Sequence, residues 1–89
     1  GYTRFDHEET RAALAARGAV LTNASSVFAE PCAQHALAMM LGLSRALPAS
    51  VAEQRGERRW RFFERRAESR LLNGQTVLLL GYGAIAKRL

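Results

Sequence analysis

Residues Thr76 to Leu80 form an unbroken, β-prone apolar run that passes without a spacer into Gly81, Tyr82, Gly83, Ala84, Ile85 and Ala86. Such a run has no polar alternation beyond Thr76, so both of its faces need cover. That is the condition of a strand in a parallel sheet between helix layers. Asn73 and Gly74 supply a turn before it, and Lys87, Arg88 and Leu89 open a helix after it. In the G-x-G-x-x-A order, Gly81 makes the tight exit from the strand and Gly83 removes a side chain where a pyrophosphate approaches the backbone. Ala86 lets the helix pack close. The N–H groups of Ala84 and Ile85 then face an anion at the helix start. The expected cofactor-binding residues are therefore Gly81, Tyr82, Gly83, Ala84 and Ile85, a plain strand-to-helix turn being the alternative reading. NAD is the expected cofactor, and NADP is left open because the acidic residue that would hold the adenosine ribose is expected about 20 positions further on, past Leu89.

The upstream order fits an α/β chain. Asp6 and Glu9 form a D-x-x-E helix start, Ala12 to Ala16 are strong helix formers, and Gly18 can take the left-handed conformation that ends a helix. The spacing predicts a helix over Asp6 to Arg17. Ala19, Val20 and Leu21 follow as a short buried strand entering the polar loop Thr22 to Ser26. Glu30 and Pro31 suit a first helical turn. From Ala33 to Leu47 the apolar residues wrap most of the circumference, predicting a helix buried on several sides and stopped at Pro48.

A single cysteine, Cys32, excludes an internal disulfide and a zinc cluster and fits a reducing compartment. The longest apolar run, Ala36 to Leu43, is broken by Gly42 and is far short of the roughly 20 residues that span a bilayer. Gly1 to Glu9 are charged and polar, unlike a signal peptide. A cytoplasmic protein with no membrane partner is expected. The chain opens on Gly1 rather than Met, so its natural beginning is expected upstream.

Three features invite sharper readings. His35 could serve as a base, but no carboxylate lies at i+3 or i+4, and a packed or interface histidine is expected. Cys32 could be a nucleophile at a helix start, but a small packing residue is expected. Much of the formal charge of +5 comes from Glu53 to Arg70, where seven Arg and four Glu surround Trp60, Phe62 and Phe63. Cations interleaved with aromatics can bind nucleic acid. The four Glu argue for a solvated helix laced by ion pairs at Glu57/Arg61, Arg61/Glu64 and Arg65/Glu68, its aromatics anchored on the domain. No nucleic-acid partner is expected.

In this order the motifs resemble the D-isomer-specific 2-hydroxyacid dehydrogenases. The matching stretches are Arg17 to Val20 with Thr22 and Asn23; Cys32 to Leu41 with Arg45; Trp60; and Leu72 to Thr76 leading into Gly81, Tyr82 and Gly83. Gln34 stands where relatives carry Glu.

The resemblance implies a fragment of a two-domain α/β protein. Residues 1–23 would end a flavodoxin-like substrate domain, and residues 24–89 would open a Rossmann doubly wound parallel sheet, truncated in the first phosphate-binding helix. It further implies an oxidoreductase transferring a hydride between NAD(P) and a 2-hydroxy acid/2-keto acid pair. The helix from Cys32 to Leu47 would lie in a homodimer interface, and backbone of the Gly1 to Asp6 turn would help hold the substrate carboxylate. The family's catalytic Arg, Glu and His lie beyond the glycine turn, so no catalytic residue, and no metal ligand, is expected among these residues. The fragment itself is expected to be inactive, incompletely stable, and weak or silent towards NAD. The alternative is an NAD(H)-sensing binding protein or corepressor that retains the dehydrogenase fold, since fold does not fix function.

Overall fold

A computed structural model describes residues 4–89. These residues form helices α1 (Glu8–Ala16), α2 (Ala29–Ser44), α3 (Leu47–Arg55), α4 (Phe62–Glu68) and α5 (Ala84–Arg88), with no strand among them. The expected α/β architecture, flavodoxin-like segment and Rossmann parallel sheet alike, is therefore corrected to an all-helical one. Both anticipated strands, Ala19–Leu21 and Thr76–Leu80, carry no regular structure. The physical reason is that a strand's backbone bonds come from a neighbour. Two unpaired runs this short do not make a sheet, which needs three or more strands or a helix packed across its face.

α1 ends as anticipated, on Gly18 at φ +62°. Its start differs. The N-cap is His7, without a side-chain cap bond, while Asp6 accepts from Arg11 Nε at 2.6 Å. The D-x-x-E pattern is thus used as a side-chain ion pair rather than as a cap.

α2 begins at Ala29, with Glu30 and Pro31 in its first turn, where a missing proline N–H costs no helical bond. It ends at Ser44 rather than Leu47. Ala46 turns the chain through the left-handed region, at φ +53°, and α3 begins with Pro48 in its first turn. Pro48 opens a helix that pattern reading had closed. The carbonyl of Ser44 is satisfied by the N–H of Arg70 at 2.6 Å, which ties the stretch after α4 to the end of α2.

Ala29 and Ala33, one turn apart on α2, are the buried residues among those described, at 7% and 4% exposure. The N-terminal half of α2 also carries Glu30, which Arg88 of α5 grips, and α5 packs on α2. Small side chains here allow close approach of the two helices. Elsewhere α2 is open: Leu37, Met39, Leu41 and Leu43 are exposed, contrary to burial on several sides. The radius of gyration is 21.5 Å, against about 12 Å for a compact domain of this length and about 30 Å for an unfolded chain. The accessible surface is 8001 Å², where a compact monomer of this mass would show about 5,200 Å². Helices and turns are formed, but most apolar side chains lack a partner.

Candidate nucleotide-binding turn

Leu78 and Leu80 are 82% and 95% exposed, and the segment delivers them directly into Gly81. No backbone group of residues 76–82 makes a hydrogen bond among the described residues. Gly81 has φ +103°, a conformation that L side chains rarely adopt, so the turn requires glycine there. Gly83 is the N-cap of α5, in extended conformation at φ −87°. A Cβ at Gly83 would meet nothing within 4 Å, leaving its face open to an incoming group.

The helix starts at Ala84, three residues before the opening expected at Lys87. Lys87 is the first residue whose N–H reaches back, to Gly83 O at 3.1 Å. The amides of Ala84 and Ile85 therefore have no backbone acceptor among the described residues, and can donate to an anion. An open cavity of about 580 Å³ lies alongside, lined by Gly81, Gly83, Ala84 and Ile85 together with Ser25 and Phe28. Tyr82 is exposed, and Lys87 Nζ lies 5.9 Å from the centre of its ring. Glycine conformation, free amides and a nearby ammonium all suit a pyrophosphate. Ala86 is half-buried on a helix packed against α2, rather than against a strand.

One ion pair fixes this end of the molecule. Arg88 Nε donates to Glu30 Oε2 at 2.6 Å, and Arg88 Nη2 donates to the same oxygen. Gln34 Nε2 donates to Glu30 Oε1 at 3.0 Å. The guanidinium first, and the Gln34 amide second, hold the Glu30 carboxyl below its ordinary value. Pattern reading had not singled out this pair, because nothing local links residues 30 and 88.

The remaining candidates are dispersed. Cys32 and His35 are both exposed on α2, so Cys32 is not the packing residue expected, and His35 is not packed within the chain. Within the Arg-rich segment, the pairs Arg61–Glu57 and Arg65–Glu68 form at 3.3 and 2.8 Å. Arg61 turns to Glu53 at 3.7 Å instead of to Glu64. The segment is not one helix, since residues 57–61 leave α3 before α4 begins. Nor do its aromatics anchor it: Trp60 is 84% exposed and Phe63 is exposed, with Phe62 and Phe63 edge to face at 5.4 Å. Part of the Gly1–Asp6 turn, residues 1–3, lies outside the described residues. Among the described residues no three His, Cys, Asp or Glu side chains gather as a metal site, and no helix is long and apolar enough to cross a membrane.

Comparison with protein-family models, curated proteins and solved structures gave no match to this chain.

Proposed function

We propose that the chain belongs to an oxidoreductase that transfers a hydride between NAD(P) and a 2-hydroxy acid/2-keto acid pair, and that it contributes the phosphate-binding turn. The observation that carries this reading is the Gly81–Ile85 turn, with its positive-φ glycine, open Gly83 face and unpaired amides at Ala84 and Ile85. The motif order from Arg17 through Cys32–Leu41 to Leu72–Gly83 supports it.

In this reading the amides of Ala84 and Ile85 donate to the pyrophosphate, and Lys87 adds a positive charge at the same helix. Bound NAD(P) supplies the hydride chemistry, while the protein orients and excludes. None of the Arg or His residues here matches the family's catalytic positions, so the role of this chain is cofactor binding. The exposed leucines of α2 supply an apolar face for a second copy, in keeping with a homodimer, and the exposed Val77–Leu80 run calls for a covering polypeptide. A cytoplasmic setting accords with the single free Cys32.

The test uses the gene product that carries this sequence, assayed for NADH-dependent reduction of a panel of 2-keto acids and for NADH binding by calorimetry. Turnover is expected, with Gly83→Val raising the KM for NADH by filling the face that the pyrophosphate approaches. NADH binding without turnover on any 2-keto acid would favour the NAD(H)-sensing or corepressor reading. Absence of NADH and NADPH binding would overturn both.

A further inference from the structure

We propose that the cavity between α3 and the stretch Gly56–Arg65 is a second ligand site, one that takes a small phosphate-bearing aromatic of nucleotide type. The cavity measures about 940 Å³ and is lined by Arg55, Arg58, Arg59, Arg65, Trp60 and Glu53 among others. That size falls within the usual range of small-molecule sites. It is built from residues far in sequence from Gly81–Ile85 and does not depend on the function of that turn.

Charge accounting inside the cavity leaves a surplus of cations. Glu53, the one carboxylate in the lining, already faces Arg61 Nε at 3.7 Å and Arg65 Nη2 at 3.4 Å. Arg59 is shared with Glu57 at 3.5 Å. Arg55 and Arg58 make no ion pair among the described residues. Arg65 is already taken up by Glu53 and by Glu68, whose Oε2 lies 2.8 Å from its Nη1. Arg55 and Arg58, the lining guanidiniums without a carboxylate among the described residues, have donors that suit an anion.

Backbone geometry adds a second, independent observation. Arg58 is held at φ +55°, a left-handed conformation unusual for a long side chain, by its N–H donating to Glu53 O at 2.9 Å. Gly56 N–H closes α3 on Ala52 O at 2.9 Å just before it. Strain of this kind persists where the surroundings enforce it, and it tends to collect at ligand sites. Arg58 lines the cavity two residues from Trp60, which is 84% exposed. Guanidinium forks match phosphate oxygens, and an exposed indole offers a stacking face to a planar base. A simple carboxylate ligand would leave that face unused.

Trp60 is the sole tryptophan, so its fluorescence reports on this cavity directly. Titration of the chain with ADP is expected to give a saturable change in Trp60 emission, and adenosine, lacking phosphate, is expected to give none. Arg58→Gly removes the guanidinium while relieving the positive φ, so it keeps the fold. It is expected to weaken the ADP binding read by Trp60 emission by about tenfold or more. No response to ADP, or an unchanged response in Arg58→Gly with an unchanged circular dichroism spectrum, would overturn the proposal. A response abolished by Gly83→Val but not by Arg58→Gly would also overturn it, by assigning the nucleotide to the glycine turn and leaving the function proposed there intact. Binding of a labelled single-stranded oligonucleotide, with ADP silent, would overturn the small-ligand assignment in favour of a strand.

Discussion

Glu30 and Arg88, 58 positions apart in the chain, are joined by Arg88 Nε donating to Glu30 Oε2 at 2.6 Å, and this contact links the first turn of α2 to the last turn of α5. Each charge also sits at the end of its own helix that favours it, the acid near an N-terminus and the base near a C-terminus. The glycine turn is therefore tethered from the far side of its helix. Arg88→Ala is expected to free α5, raising amide hydrogen exchange at Lys87 and Arg88 severalfold while leaving α1 unchanged. Unaltered exchange in α5 would show that packing alone holds it.

The same pair makes the tether acid-sensitive. Because the Glu30 carboxyl is held below its ordinary value, chiefly by Arg88 and then by Gln34, its stabilising contribution is present above the unfolded-state value. It is lost as pH falls through the lower folded value. An NMR pH titration is expected to show α5 shifts moving together with the Glu30 side chain at the acid end of the carboxylate range, and flat through neutral pH. Glu30→Gln should abolish that transition. Gln34→Glu should move it to higher pH, since a second carboxylate at i+4 replaces a donor with a like charge.

What could be read from the residues, and what could not, divides along local and non-local physics. α1 was legible within two residues at each end because Ala12–Ala16 and Gly18 act within their own turn. The Asn73–Gly74 turn was legible too: Gly74 has φ +78°, and Gln75 N–H reaches Leu72 O at 3.0 Å. The helix after Gly83 was legible in kind, though it starts at Ala84 rather than at Lys87. Thr76–Leu80 misled because β-propensity expresses a fit to neighbours that the segment itself does not contain. Pro48 misled because proline ends one helix and begins another with equal ease, and only the left-handed Ala46 decides which. The mixture of arginines and aromatics around Trp60 was legible, but the cavity there was not, since it depends on the backbone of Arg58 and on where α3 and α4 diverge.

The two glycines of the turn should respond differently to substitution. At Gly81, φ +103° makes any Cβ strained, at a cost of about 1–3 kcal/mol. Gly83 has an ordinary φ of −87° and open space around it. Gly81→Ala is expected to shift the resonances of Tyr82 to Ile85 and speed proteolysis at the turn, while Gly83→Ala leaves both near wild type. Equal effects from the two would mean that the turn is not held in the conformation described.

Ala33, at 4% exposure, is one of two buried side chains among the described residues and lies one turn from Ala29, at the end of α2 where Glu30 meets Arg88 of α5. Ala33→Leu adds volume where the helices approach, and overpacking of this kind costs about 1–3 kcal/mol. Exchange protection in α5 is expected to fall, though the Glu30–Arg88 groups are untouched. A protected α5 in this variant would show that α2 and α5 can part without loosening the tether.

The apolar run before the turn carries the last expectation. Val77 to Leu80 are exposed in sequence, flanked by no charge until Lys87, and their backbone groups are free among the described residues. A short β-prone segment with open donors and acceptors pairs readily with another copy of itself. The chain is therefore expected to self-associate with rising concentration in analytical ultracentrifugation. Leu78→Lys with Leu80→Lys adds like charges at alternate positions and is expected to return it to monomer. The helices lie outside this segment, so the helical circular dichroism should not change. If the double variant associates as strongly as the original, the exposed leucines of α2 become the surface responsible, and Leu41→Lys should then have the effect that the first pair lacked.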